Sequence, residues 1–313
     1  MKQIERIFCG NPCQIYRISD ADGEAVTTCY TVFPGVDLIY NDIHAGECGD
    51  FAYDGGREKE VYEIHHCREG RMEWEENEAM YYLSPGDICI RKKRLSDRPT
   101  VFPSRHYHGV SLKISTAEAP DSLSSILCGI DVEPRSLMEG LCRDGAVFIS
   151  RSRPELEHVF SELYRIPDEV KNGYFKIKTL EILLFLSCSR AEPEPPPTGS
   201  LLERSLAKQA RDYLSAHMDE RVTIPALAEK LHVSPTGLKS AFRKVCGVSV
   251  YGYVRIQKMQ SAAYLLRTTG KTILEIAGIC GYSNGSKFSA AFRSVMGCSP
   301  NEYRKNARPS EPG

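Results

Sequence analysis

Several side chains that can bind nucleic acid lie near the end of the chain, on one face of a predicted helix. Thr236, Lys239, Ser240, Arg243 and Lys244 share this face, because residues three and four apart are neighbours on a helix surface. Side chains near the start of such a helix reach base edges, whereas basic groups further along meet phosphates. The chemistry expected here is recognition of DNA, and we assign no catalytic residue.

Capping residues and apolar periodicity predict the elements that present this face. Thr223 is placed to cap a helix over residues 224–231. Ser234 is a favourable N-cap and Pro235 a favourable first helical residue, so a second helix is expected to begin there. Gly247 is expected to end it. The pattern is typical of a helix-turn-helix, whose second helix enters the major groove.

The same pattern occurs twice in the last hundred residues. Thr223 recurs as Thr272 with an offset of 49, and Phe242 recurs as Phe292 with an offset of 50. The offset changes because the second turn contains one extra residue. Ser283 is predicted to cap the exposed helix of the second copy. An internal repeat of this kind predicts two helix-turn-helix motifs.

A long helix is predicted between the two copies, over residues 250–267. Roughly twenty residues with a rise of 1.5 Å each span about 30 Å. This length is close to the ~34 Å turn of B-DNA. The two exposed helices can therefore enter successive major-groove segments on one side of a duplex.

Charge divides the chain near Ser200. Residues 201–313 contain 17 Lys and Arg against 8 Asp and Glu, a net charge of +9. The first 200 residues contain 23 against 33, a net charge of -10. Such asymmetry indicates a nucleic-acid-binding end attached to an acidic body.

Cysteine usage and hydropathy predict a reduced, cytoplasmic protein. The 12 cysteines are scattered and form no CxxC pair. The first residues contain no apolar signal core. The longest apolar run, residues 182–186, is too short to cross a bilayer.

Residues 1–150 are expected to form a sheet-rich domain, because short apolar stretches alternate with turn signals. Strands are predicted over residues 61–67 and 79–83. The turn Pro85-Gly86-Asp87 then leads into the apolar residues 88–90. This part resembles the cupin-like sensor barrel, in which such a turn precedes an apolar strand. The resemblance implies an effector-binding domain.

Residues 151–190 change to helical spacing, and residues 174–188 are apolar around more of the helix than one contact requires. This pattern favours a dimerisation region, although a single buried helix in a monomer would also account for it. Residues 191–200, AEPEPPPTGS, are expected to form an extended linker, since successive prolines cannot continue a helix. Residues 201–308 then form the DNA-binding domain.

The two repeats, TIPALAEKLHVSPTGLKSAFRKVCGVSVYGYV and TILEIAGICGYSNGSKFSAAFRSVMGCSPNEYR, resemble the tandem helix-turn-helix domain of AraC/XylS-type regulators. The resemblance covers about one hundred C-terminal residues. It implies a sequence-specific DNA-binding regulator, often an activator that contacts RNA polymerase. It also implies an N-terminal domain that binds a small effector, dimerises or does both.

The resemblance also assigns roles to individual positions. Base-reading residues would be Thr236, Lys239 and Ser240 in the first motif and Ser286, Lys287 and Ala290 in the second. Phosphate-binding candidates are Arg243, Lys244, Arg255, Lys258, Arg293, Arg304 and Lys305. Val250 and Lys258 depart from the usual Pro and Arg of the family. Because Ala290 cannot read a base by hydrogen bonding, the second motif could also be a scaffold that contacts only the backbone.

Histidine and aromatic residues of the N-terminal part suggest two different functions. An effector pocket would be lined by Tyr62, His65, Trp74, Tyr82, His106 and His108. The alternative is a cupin metalloenzyme with an accessory DNA-binding domain, whose candidate ligands are Glu63, His65, His66, His106 and His108. Enzymatic cupins have His-x-His where this chain has Glu63-x-His65. We therefore expect no metal, no cofactor and no enzymatic activity.

The predicted fold class is α+β and multidomain. A cupin-like β-barrel with following helices would precede an all-α domain of two helix-turn-helix motifs joined by a linker helix. The expected partners are double-stranded DNA, RNA polymerase, a small-molecule effector and a second copy of the chain, with no membrane association.

Overall fold

The computed structural model has a sheet-rich first half and a helical second half. It describes residues 3–10, 12–20, 23–48, 60–76, 79–93, 100–119, 123, 133–151, 154–164, 166–188, 200–218, 220 and 222–307. The predicted linker at residues 191–200 lies outside the described residues, except for Ser200.

The strands of the described residues are numbered in chain order. They are β1 (Gln3–Cys9), β2 (Cys13–Asp20), β3 (Gly23–Phe33), β4 (Val36–His44), β5 (Glu47–Cys48), β6 (Val61–Gly70), β7 (Met72–Glu76), β8 (Ala79–Leu83), β9 (Ile88–Lys92), β10 (Thr100–Val101), β11 (Tyr107–Ser115) and β12 (Phe148–Ser150).

These strands form two sheets. The larger has the order β1-β2-β3-β4-β11-β6-β9-β12, and the smaller has the order β5-β10-β7-β8. The pairs within the larger sheet are antiparallel. Neither sheet closes on itself among the described residues, so the structure supports a sheet-rich domain but not the predicted closed barrel.

The helices are likewise numbered in chain order. They are α1 (Pro134–Leu141), α2 (Pro154–Glu162), α3 (Lys171–Ser187), α4 (Leu201–Ala216), α5 (Ile224–Lys230), α6 (Pro235–Cys246), α7 (Val250–Thr268), α8 (Ile273–Ile279), α9 (Gly285–Met296) and α10 (Pro300–Ala307). No helix of the described residues is long and apolar enough to span a membrane.

One face of the larger sheet packs against α1, α2 and α3. Ile64 of β6 and Leu112 of β11 are paired in register and fully buried. They share a core with Phe160 of α2 and with Phe175 and Leu183 of α3. Because side chains alternate across a strand, even-numbered residues of β6 face these helices and odd-numbered residues face the opposite side.

Helix α3 begins at Lys171, so Asn172 and Gly173 lie in its first turn. The first turn tolerates such residues because its backbone N–H groups have no partner within the helix.

The chain divides into two compact units. The first comprises Met1–Trp74, Leu83–Phe102 and Tyr107–Pro196, and the second comprises Glu75–Tyr82, Pro103–His106 and Pro197–Gly313.

The helices of the second unit form two apolar cores, and α7 contributes to both. Tyr253, near the start of α7, packs with α4, α5 and α6. Leu266, near its end, packs with α8 and α9. The long helix therefore connects two motifs that each have their own buried core.

Candidate DNA interface and N-terminal cleft

The first helix-turn-helix forms as its capping residues predict. Thr223 Oγ1 accepts a hydrogen bond from the Ala226 N–H at the start of α5. Ser234 Oγ accepts one from the Gly237 N–H, 3.1 Å away, at the start of α6. Between them the turn is made by His232 in the left-handed region, with φ 55°.

Helix α6 separates a buried stripe from an exposed polar face. Leu238 and Phe242 are fully buried in the first core. The opposite face is exposed and carries Thr236, Lys239, Ser240, Arg243 and Lys244. The helix ends at Gly247, whose φ of 72° is the left-handed conformation of a terminating glycine. All five predicted polar residues are therefore available at one surface.

The second motif has stronger caps and a different N-cap residue from the one expected. Thr272 and Glu275 form a reciprocal capping box at the start of α8. Gly281, with φ 78°, makes the turn. Helix α9 is capped by Asn284, whose Oδ1 accepts from the N–H groups of Ser286 and Lys287 at 2.8 and 3.1 Å. The prediction of Ser283 as the cap is wrong by one residue.

The presented face of α9 is smaller than that of α6. Ser286, Lys287 and Ala290 are exposed, as is Arg293 further along. Phe288 and Phe292 are fully buried on the other side. The methyl group of Ala290 can contact a thymine methyl but cannot donate or accept a hydrogen bond.

Besides Arg293, which lies 3.8 Å from Glu302 Oε2 on α10, three of the predicted phosphate-binding cations have partners within the unit. Lys244 Nζ lies 2.9 Å from Glu203 Oε2 on α4. Arg255 donates to Ser294 Oγ at 2.9 Å, which ties α7 to α9.

Arg304, the third, donates to the main-chain carbonyls of Leu266 and Lys271. It therefore stabilises the end of α7. Lys258 is half-buried, and its Nζ lies beside Gly281 in the second turn, 3.1 Å from the position that a Cβ there would occupy. Lys305 is exposed.

The predicted effector residues do not converge. Tyr62 packs in the core beneath the helices. His65 leaves the opposite face of β6, where it lies 2.8 Å from Ser111 Oγ and 3.2 Å from Glu63 Oε2. Trp74 is buried beneath the Arg91 guanidinium.

Of the other three predicted residues, Tyr82 and His106 belong to the second unit. His108 lies near the start of β11 and contacts Asp42.

The ligand set of the alternative metalloenzyme is likewise divided. Glu63 is engaged with His65 and with Arg91 at 3.2 Å. Burial raises the pKa of Glu63, but the hydrogen bond from His65 and the Arg91 charge outweigh it and hold the pKa well below its usual range. His66 leaves the other face of the strand, and His106 belongs to the second unit.

A cleft of about 590 Å³ opens on the helix side of β6. It is lined by residues of β6, of the turn before β9 and of α2, together with Tyr164 and Tyr174. His66 is at its buried end, 3 % exposed and stacked on Phe160 at a centroid distance of 4.6 Å. Neither ring nitrogen of His66 has a hydrogen-bond partner among the described residues.

The cleft combines a neutral imidazole with charged groups nearer its rim. Burial, followed by the nearby Arg68 cation, lowers the pKa of His66 to about 4, so the ring is neutral at pH 7. The Arg68 guanidinium lies 4.3 Å from the centre of the Tyr164 ring. Glu162 is hydrogen-bonded by the Tyr174 hydroxyl at 2.9 Å and paired with Lys178.

Sequence reasoning missed this cleft. Strand alternation places His66 on the opposite face from His65, but the residues that complete the cleft lie about ninety positions later, in α2 and beyond. The apolar stripe of α2 was the one indication in the sequence, because it predicts that this helix packs on a face of the sheet.

The fold and the two capped, exposed helices define a tandem helix-turn-helix domain of the DNA-binding class. A family profile described as a helix-turn-helix domain matches residues 227–306. The activator RhaR of Pectobacterium atrosepticum is 30% identical over 126 residues, which are 40% of this chain and 43% of that protein. The chain thus spans less than half the length of this relative.

A shorter relative is covered more completely. The transposon Tn10 TetD protein of Escherichia coli is 30% identical over 94 residues, which are 30% of this chain and 68% of that protein. The C-terminal domain of AraT, a response regulator from Geobacillus stearothermophilus, is 36% identical over 34% of this chain and 90% of that domain, with a TM-score of 0.33. The chain belongs to the AraC/XylS family of regulators.

Proposed function

We propose that this protein is a sequence-specific transcription regulator that binds double-stranded DNA through both helix-turn-helix motifs. The observation that carries the proposal is the pair of recognition helices, α6 and α9, each capped at its N-terminus and each exposing a polar face. Helix α7 has 19 residues, and at 1.5 Å per residue it extends about 28 Å. This length matches binding to successive major-groove segments.

In this function the two recognition helices have different roles. Thr236, Lys239 and Ser240 supply donors and acceptors to base edges, whereas Ser286, Lys287 and Ala290 offer fewer hydrogen bonds. Arg243 and Lys305, both exposed, bind phosphate and supply the salt-dependent part of the affinity.

Selection of bound sequences from a random duplex library tests the proposal with the full chain. We expect an enriched motif of two segments about one helical turn apart, with stronger information in the segment read by α6. Lys239→Ala should reduce the base preference at one or two positions of the enriched motif. No enrichment by the full-length protein would contradict sequence-specific recognition.

We propose further that the first unit is a cupin-like sensor and that the cleft at His66 binds the effector. A neutral imidazole offers one donor and one acceptor, and both nitrogens of His66 are buried without a partner in the described part of the chain. Burying two polar nitrogens without hydrogen bonds costs free energy, and a small polar molecule that hydrogen-bonds His66 would remove this cost. Arg68, at 4.3 Å from the Tyr164 ring, favours a ligand that also carries a negative charge.

A thermal-shift screen of small carboxylic acids against the full chain tests this site. A ligand that raises the melting temperature of the wild type should lose its effect on His66→Phe, which keeps an aromatic ring on Phe160 but removes both nitrogens. Glu155→Gln, on the exposed side of α2, is the matched control. Equal shifts in all three proteins would place the effector elsewhere.

Dimerisation through α3 is proposed from its exposed apolar residues. Ile177, Leu184 and Phe185 are 62%, 42% and 38% exposed. Leu184 and Phe185 lie about two turns after Ile177, on the same side of the helix. A second copy that covered this face would bury them. Sedimentation velocity should find a dimer that Ile177→Asp with Leu184→Asp dissociates, whereas Leu202→Asp, at another exposed leucine, should not.

Activation through RNA polymerase is the remaining part of the proposal, and it rests on family membership. Leu274 and Ile279 of α8 are 66% and 53% exposed, which suits a protein contact beside the DNA. Transcription in vitro from a promoter with the selected operator should rise with the wild type. It should rise less with Leu274→Asp at equal DNA occupancy.

A further inference from the structure

A carboxylate and two imidazoles meet at one end of the β4–β11 pair, within the first unit and outside the cleft. Asp42 Oδ1 lies 2.8 Å from His44 Nε2 and 2.9 Å from His108 Nε2. One ring nitrogen of His44 and one of His108 lie within 4.8 Å of each other.

The strand register brings the three residues together. Asp42 and His44 are two apart on β4 and therefore share a face. His108 is directly opposite Asp42 on β11, so it projects from the same face of the sheet. Glu24 and Glu69 occupy the positions paired with His44 and His108 on the flanking strands, which adds negative charge around the group.

The three side chains are open to solution on one side. Their exposed fractions are 45% for Asp42, 25% for His44 and 16% for His108. Burial raises the pKa of Asp42, but the hydrogen bonds from His108 and His44 outweigh it and keep the carboxylate charged.

We propose that Asp42, His44 and His108 form a binding site for a divalent transition-metal ion of the zinc type. Two imidazole nitrogens and one carboxylate oxygen are a ligand set that such ions accept, with a further position left for water.

The geometry requires only a small adjustment. In a tetrahedral zinc site with ligand bonds near 2.1 Å, neighbouring donor atoms are about 3.4 Å apart. The carboxylate oxygen and the imidazole nitrogens would therefore move apart by about half an ångström. The metal would lie between these atoms, with each imidazole binding through Nε2 and carrying its N–H on Nδ1.

Zinc titration of the metal-free full-length protein tests the site. The wild type should bind one Zn²⁺ per chain, and the affinity should fall at least tenfold in His44→Ala, His108→Ala and Asp42→Asn. His217→Ala, a histidine of the second unit, is the matched control and should bind as the wild type does. Equal affinity in all five proteins would overturn the proposal.

Cobalt provides a second measurement on the unaltered protein, so the test does not depend on the folding of a variant. Nitrogen and oxygen ligands give Co²⁺ weak visible bands without sulfur charge transfer. Strong near-ultraviolet charge-transfer bands would place the ion on cysteine thiolates and would overturn the site. The asparagine variant is nearly isosteric with Asp42, and its circular dichroism spectrum should match that of the wild type.

Discussion

The two helix-turn-helix motifs share a scaffold but differ in what they present. Phe242 and Phe292 occupy equivalent buried positions, and each packs edge-on against a tyrosine of the following helix, Tyr253 or Tyr303, at 5.5 Å. The exposed face of α6 carries Ser240, whereas α9 has Ala290 at the matching position, where a base-reading residue was predicted. The two motifs thus share the buried core, whereas the turn, which is one residue longer in the second, and the exposed surface differ.

The buried face of each recognition helix stabilises its motif, whereas the exposed face is the one predicted to contact bases. The second motif has a capping box on α8 and a doubly bonded Asn284 cap on α9. The first has single-bond caps but the richer polar face. Four sets of substitutions test this difference, and the one expected to change stability most comes first.

Removing the buried ring from each core should have the largest effect. Phe242→Ala and Phe292→Ala should each cost about 3–5 kcal/mol, because both rings are fully buried. Hydrogen exchange of the full chain should show reduced amide protection in α6 for the first variant and in α9 for the second. Equal loss in both helices from either variant would mean that the two cores unfold as one.

Removing one lysine from each recognition helix tests the difference in base discrimination. Lys239→Ala should lose about 1–3 kcal/mol of preference for the selected operator over a single-base mismatch. Lys287→Ala should lose less, because the face of α9 has fewer groups to orient it. Competition binding with matched and mismatched duplexes measures both. A larger loss at Lys287 would reverse the assignment of roles.

Alanine substitution at the second cap separates two adjacent residues. Asn284→Ala should destabilise the start of α9 by about 1 kcal/mol, since Asn284 satisfies two N–H groups. Ser283→Ala should change stability by less than about 0.5 kcal/mol. Ser234→Ala in the first motif is the reference for a cap that satisfies one N–H. A larger effect at Ser283 would restore the original prediction.

The smallest effect is expected at Lys258 beside the second turn. Lys258→Ala should weaken binding to all sequences alike and reduce the slope of log affinity against log salt by about one. Lys258→Arg keeps the charge and should retain the slope. A loss confined to one base pair would make Lys258 a base-reading residue.

The helices of the DNA-binding unit could be predicted from sequence because their signals are local. Caps such as Ser234 and terminating glycines such as Gly247 act within one turn, and both positions were confirmed. The Asn284 cap was missed because Ser283 and Asn284 are both good caps, and only the backbone decides between them. The polar positions Thr236, Lys239 and Ser240 followed from the helix period.

The sites of the first unit depend on pairings that composition and spacing do not reveal. His66 obtains its cleft only when α2 packs on β6. Asp42 and His108 become neighbours through the register of β4 and β11, although 66 positions separate them. The six predicted effector residues were chosen by type, and strand alternation then placed Tyr62 and His65 on opposite faces.

The length of the continuous helix α7 sets both the distance between the two recognition helices and their relative rotation about its axis. Each residue of an α-helix adds 1.5 Å of length and about 100° of rotation. An insertion of one residue would thus turn the second recognition helix away from the groove that the first occupies. Seven inserted residues would nearly restore the phase while lengthening the span by about 10.5 Å, or roughly three base pairs. Because three base pairs also rotate the groove by roughly 100°, such an insertion would restore the orientation of the helix but not its alignment with the groove.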